Sequence, residues 1–211
     1  MTCLEVLLEG ASDVPALRVV LEKKFNLVEN IDFRLHPHQG RGKLPANLLK
    51  APDPKNRGLL DVLPAKLRGY AKSLPSHAIV LVVIDADNDP CYILLKQLKD
   101  MLSAMPSKPN VLFRLAIEET ESWFIADLSA IKKAFPRAKL AGLKNIQPDA
   151  IVGAWERLAE AVDPRLKNVS GAHKFNWATK IAPHLDLDNP KSPSFKKLIE
   201  GIDRKLKEVP I

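Results

Sequence analysis

Short apolar runs alternating with stretches of helical periodicity predict an α/β protein. The expected form is a Rossmann-like, mostly parallel sheet flanked by helices, followed by a helical C-terminal region. Three observations carry this. Val80–Ile84 is a continuous apolar run, the pattern of a strand buried on both faces. Comparable runs, Thr2–Leu8 and Val111–Ile117, lie on either side of it and are separated from it by helical segments. Beyond Leu128 the strand signal stops, which divides the chain into an α/β core, residues 1–128, and a basic helical region, residues 129–211, packed on it.

The first strand, Thr2–Leu8, ends in Glu9-Gly10-Ala11-Ser12-Asp13. Gly10 permits a tight turn, and Ser12 or Asp13 can cap the helix that follows. That helix, Val14–Phe25, places Leu17, Val20, Leu21 and Phe25 at helical spacing. Ile31–His36 alternates apolar and polar residues as a second strand. The segment His36–Lys43 is basic and glycine-containing, but it is not a phosphate loop. No glycine stands five residues before Gly42, and Leu44 occupies the position that needs Ser or Thr. His36 and His38 read as surface residues.

Ala46–Lys50 predicts a short helix, and Gly58–Ser73 an amphipathic one kinked at Pro64. After the third strand, Pro90 suits the start of a helix over Cys91–Met105. The fourth strand, Val111–Ile117, runs into Glu118-Glu119-Thr120-Glu121, with Trp123 and Phe124 as core residues. Helices are expected over Ser129–Phe135, Pro148–Val162, Asn176–Pro183 and Pro193–Glu208, with Asn168–Lys174 as a polar loop. Ser192 then caps the last helix and Pro193 begins it.

The formal net charge is +7. Residues 1–129 hold 16 basic and 16 acidic side chains, so the excess lies entirely in the remainder. Such an asymmetry favours a polyanionic partner, with a solvated lysine-rich surface as the alternative. Two cysteines, no basic leader ahead of the first apolar run and no apolar run long enough for a bilayer lead to the expectation of a cytoplasmic protein without a membrane partner.

Three predicted strands end in acid: Glu9, then Asp85 with Asp87 and Asp89, then Glu118 with Glu121. In an open parallel sheet, ligands sit beyond the carboxyl ends of the strands. Acids gathered there repel one another unless a cation lies between them, and all-oxygen ligands suit Mg²⁺ or Mn²⁺ rather than zinc. Asp85 and Asp87 point to the same side if the chain stays extended through them. Taken alone, Asp85–Asp89 is equally a solvated acidic turn, Asp89 a cap for the next helix, and the Glu118–Glu121 pair a complement to a helix dipole. Lys196 and Lys197, in the first turn of the last helix, are candidate phosphate contacts or ordinary solvated lysines, and Lys43 and Lys174 join them as candidates.

Glu9-Gly10-Ala11-Ser12-Asp13, followed by a hydrophobic strand ending Asp85-Ala86-Asp87, resembles the Toprim domain of topoisomerases, primases and the overcoming-lysogenization-defect nucleases. The whole chain further resembles a small bacterial Toprim-like group, through Ile117–Trp123 and Ser192–Phe195. The resemblance implies that Glu9 is a general acid/base or metal ligand, that Asp85 and Asp87 are principal ligands, and that Asp89 binds the same or a second ion. Glu118 and Glu121 are added from their place in the sequence. It also implies a nuclease acting on DNA or RNA, and a partner ABC-type ATPase in phage defence. A non-catalytic module that binds nucleic acid or nucleotide is the alternative. Only Tyr70 and Tyr92 are present, neither in a supporting motif, which argues against covalent strand transfer through tyrosine.

Overall fold

The structure is a computed structural model, and it describes residues 4–87, 90–117, 119–150, 153–166 and 168–208. Four parallel strands form one sheet in the order β2-β1-β3-β4: β1 (Leu4–Leu8), β2 (Phe33–Pro37), β3 (Ile79–Asp85) and β4 (Asn110–Ala116). Apolar runs without alternation produce strands covered on both sides. Along β3, Ile79, Leu81 and Val83 face one core while Val80, Val82 and Ile84 face the other. The α/β class and the parallel sheet are those the sequence predicts.

Helices α2 (Leu59–Ser73) and α3 (Cys91–Ser103) cover the second face. The first face packs α1 (Val14–Val19), whose end runs into one π-helical turn over Val20–Lys24. The same core takes in α4 (Glu121–Ala126), α5 (Leu128–Ala134), α6 (Ala154–Val162), α7 (Gly171–Ile181) and α8 (Pro193–Glu208). Residues before and after position 128 therefore share one hydrophobic cluster, from Leu4 to Ile202.

Several local expectations are corrected. Ala46–Lys50 is not a helix. The Asn47 side chain accepts from the Leu49 N–H at 3.0 Å, a local turn that competes with helix formation, and the Arg68 guanidinium donates to the carbonyls of Leu48, Leu49 and Lys50. β2 begins at Phe33, because Ile31 is left exposed in the turn before it. The sixth helix starts at Ala154 rather than Pro148. Asp149 has φ +65° and Gly153 φ +80°, and left-handed residues cannot be carried inside a right-handed helix. The seventh starts earlier than expected, at Gly171. The Ser170 N–H donates to His173 Nδ1 at 3.1 Å, closing a first turn that is polar enough to read as loop. Pro64 lies within α2, which stays a single helix from Leu59 to Ser73.

Candidate metal centre

The strand order changes direction between β1 and β3. The chain leaves β1 toward β2 on one side and later returns to place β3 on the other. That switch point is where open α/β sheets form their crevice. Glu9 follows β1 and Asp85 closes β3, and the Asp85 N–H donates to Glu9 Oε2 at 3.3 Å. The two residues singled out in the sequence therefore meet where the topology opens a site.

A third acid joins them from the β1–α1 turn. Asp13 is 4% exposed. One of its oxygens accepts from the Gly10 N–H at 2.9 Å, and the other from the Thr120 hydroxyl at 2.9 Å. Sequence reasoning assigned Asp13 only a capping role; its burial and its bond to Thr120, 107 residues away, have no local signal. From the β4 end come Glu119 and the buried Glu121.

Lys174 reaches this group from the first turn of α7. Its Nζ lies 3.0 Å from Glu119 Oε1 and 3.5 Å from Glu121 Oε2, and 5.7 Å from the centre of the Trp155 ring. The lysine proposed as a phosphate contact is thus engaged by two carboxylates. Asp87 departs from expectation as well. Its φ of +46° turns the chain left-handed immediately after the strand, so it does not continue the extended line of Asp85. The Asp87 carboxylate instead accepts from Arg41 Nη1 at 3.1 Å. Arg41 belongs to the basic loop after β2, which is tied to the same sheet edge by the Gly40 N–H donating to the Glu9 carbonyl at 3.0 Å. Asp89 and Glu118 lie outside the described residues.

The electrostatics follow from this packing. Asp85 is raised well above the ordinary carboxylate range, first by removal from water and then by the negative charges of Asp13, Glu9, Glu121 and Glu119. Four other acids of the group act on it together. Burial pushes Glu9 up to about 7, with Asp87 adding to the rise. Glu121 is also pushed up to about 7 by burial, against the opposing pull of Lys174. Asp13 is raised by burial despite its two hydrogen bonds. Raised carboxyl values reverse the usual pH trend. Between roughly pH 4.5 and 7 the folded state holds protons that the unfolded state has released, so stability falls as the pH rises. The metal-free protein is therefore expected to melt higher at pH 5 than at pH 8, which thermal unfolding across that range measures.

The donor set is compatible with a hard divalent cation. It is all carboxylate, and Glu119 Oε2 is buried and accepts no hydrogen bond from the protein. Glu9, Asp85 and Glu121 are the residues that would hold the ion, with Glu119 and Asp87 within the same acidic group. As the side chains stand, no three ligating groups among the described residues are close enough to chelate one. Lys174 supplies the positive charge in their place.

The other predicted phosphate contacts lie elsewhere. Ser192 caps α8 as expected, accepting from the Phe195 N–H at 3.2 Å. The free end of that helix is not open to phosphate, however. The Asp149 carboxylate already accepts from the Ser194 N–H at 2.5 Å and from the hydroxyls of Ser192 and Ser194 at 2.9 and 3.0 Å. Trp123 Nε1 donates to Ser194 Oγ at 2.9 Å, and its ring stacks on Phe195 with centroids 5.0 Å apart. Ser192–Phe195 is thus a structural knot between α4, α8 and the Asp149 loop. Asp149→Ala is expected to lower stability by about 2 kcal/mol, read in denaturant, because a charge-assisted cap is lost. Lys196 pairs loosely with Glu200 at 3.9 Å, and Lys197 is exposed on α8, away from the carboxylates. The Lys43 N–H donates to Asp61, and the residue is exposed in the loop that carries Arg41. His36 and His38 are not loose surface groups. His36 Nε2 lies 2.5 Å from the buried Glu5, and His38 Nδ1 donates to the Leu8 carbonyl at 2.9 Å.

Fold and site together define a parallel α/β protein whose switch point gathers carboxylates around a lysine. The chain belongs to the family described as a domain of unknown function, DUF4276, whose model matches residues 8–203. No curated protein and no solved structure matches it. No helix among the described residues is long and apolar enough to cross a membrane.

Proposed function

We propose that this protein is a divalent-metal-dependent nuclease that hydrolyses phosphodiester bonds of DNA or RNA. The observation that carries the proposal is the contact of Asp85 with Glu9 at the switch point, with the charges of Asp13, Glu119 and Glu121 also acting on the buried Asp85. The likeness of Glu9-Gly10 and Asp85-Ala86-Asp87 to the Toprim motif supports the same reading. A bound Mg²⁺ or Mn²⁺ ion would polarise the scissile phosphate and lower the pKa of an attacking water. Where the ion leaves Glu9 unligated, its carboxylate can accept a proton from that water. Arg41, held by Asp87 at the rim, offers a planar donor fork to a phosphate oxygen. Lys174 keeps Glu119 and Glu121 in place from the helical side.

The test is incubation with plasmid, single-stranded DNA and tRNA in Mg²⁺ or Mn²⁺, with and without the partner ATPase that the resemblance implies. Cleavage that disappears with EDTA supports the proposal, and none under any of these conditions defeats it. One observation favours a second reading, a module that binds nucleotide or nucleic acid without turnover. The pairing of Lys174 with Glu119 and Glu121 already neutralises part of the cluster without an ion. Calorimetric titration with Mn²⁺ separates the two readings: binding without cleavage selects the second.

A further inference from the structure

Away from the carboxylates, β4 forms the outer edge of the sheet, and a cleft of about 430 Å³ lies between that edge, α3 and α8. One wall is apolar, formed by Leu95, Phe113, Leu115 and Ile117, with Tyr92 at the rim. Tyr92 is 75% exposed, an aromatic ring without packing of its own. The opposite wall is basic, with Arg114, Lys197 and Arg204. Glu200 also lines the cleft, but its nearest cation is Lys196.

Arg114 is the unusual member. It is only partly exposed, yet among the described residues it has no carboxylate partner. Its Nε donates to the Lys197 carbonyl at 2.9 Å and its Nη1 to the Phe113 carbonyl at 2.8 Å, which fixes the plane of the guanidinium without neutralising it. Burial and the charge of Arg204 disfavour its positive form, and the charge of Glu200 opposes them without pairing with it. Gly201, in the middle of α8, leaves the space in which the guanidinium sits; a Cβ there would overlap it. A mid-helix glycine weakens the helix, so the space is kept at a cost.

A fixed, partly buried guanidinium without an ion-pair partner fits an anion, and its fork matches phosphate. The apolar wall and the unpacked Tyr92 ring fit a flat ring system, which stacks on aromatics whatever its identity. The volume suits one such unit rather than a helix of nucleic acid. We infer that this cleft is a binding site for a single phosphorylated nucleotide, with its phosphate on Arg114 and Lys197 and its base against Tyr92 and Leu95. The nucleotide is either free or the terminal unit of a strand. Ile117 lines the cleft and directly precedes the acidic segment, so a strand end held here lies beside the carboxyl edge of the sheet.

Calorimetric titration of the full chain in EDTA, with adenosine 5′-monophosphate, adenosine, inorganic phosphate and a 5′-phosphorylated oligo(dA), tests this independently of the metal centre. The monophosphate is expected to bind at least tenfold more tightly than adenosine or phosphate alone. Arg114→Met, Lys197→Met and Gly201→Ala are each expected to weaken it at least tenfold. Gly201→Ala tests the site without removing a charge, since alanine favours the helix while displacing the guanidinium. Asp85→Asn is expected to bind as wild type, which separates this site from the metal centre. Tighter binding of the oligonucleotide than of the monophosphate assigns the cleft to strand ends; the reverse order assigns it to free nucleotide. No binding of either up to about 1 mM, a free energy of about −4 kcal/mol, overturns the inference. So does unchanged affinity in all three variants, or competition by a phosphotyrosine peptide that exceeds the monophosphate.

Discussion

Asp85→Asn is expected to abolish Mg²⁺- or Mn²⁺-dependent cleavage, by at least about 10³-fold, without lowering the melting temperature of the metal-free protein. The substitution keeps the shape and removes one charge from the acid that feels Asp13, Glu9, Glu119 and Glu121 together. A metal ligand contributes several kcal/mol to transition-state charge stabilisation, and each 1.4 kcal/mol is about tenfold in rate. Stability moves the other way. A charge on Asp85 would be buried and repelled by its neighbours, so an uncharged amide there leaves the fold unchanged or stabilises it. Cleavage assays and thermal unfolding on the same preparation read both effects. Activity retained in Asp85→Asn would exclude Asp85 as a ligand. A fall of many degrees in melting temperature would make the loss structural.

Lys174→Met should produce the largest loss of stability at alkaline pH. The ammonium is the cation that pairs with Glu119 and Glu121, whose side chains are 17% and 3% exposed. Removing one partner of a buried ion pair costs about 3–5 kcal/mol, because the remaining charge stays out of water. The loss is expected to depend on pH in a defined direction. Glu121 titrates near 7 even beside Lys174, and its value rises further once the lysine is gone. Below that value Glu121 binds a proton and the repulsion eases. Unfolding in urea should therefore show a deficit of about 3 kcal/mol at pH 8 that shrinks below about 1 kcal/mol at pH 5. Millimolar Mn²⁺ at pH 8 should restore part of it, since a ligand that binds only the folded state stabilises it by mass action. A deficit that ignores both pH and Mn²⁺ would mean that Lys174 acts through packing alone.

The sheet was legible because its central strand is an unalternated apolar run, Val80–Ile84, with comparable runs on either side of it. Glu9 and Asp85 were legible for a related reason: each is the first acid after such a run, so topology alone sends both to one edge. Asp13 and Lys174 were not. Asp13 looks like any residue before a helix, and nothing local shows that Thr120 will close over it. Lys174 sits in a polar first turn whose apolar continuation, Trp177, Ala178 and Ile181, begins only three residues later. Asp87 shows the opposite error. The spacing Asp85-x-Asp87 promised a shared face, but a left-handed turn at Asp87 moved it to Arg41. Single-residue backbone reversals of this kind follow from tertiary fit and leave no periodic trace.

The Lys174 bridge also has a consequence for the order in which the protein is made. Glu119 is separated from its lysine by 55 residues of chain. A ribosome releases the strands, and with them Glu9, Asp85 and Glu119, well before α7 emerges. Until then the nascent acids face one another without their counter-charge, and the first face of the sheet lacks α7 and α8. The acidic edge is thus completed from the far end of the polypeptide, and chains interrupted before α7 carry its ligands without the means to hold them.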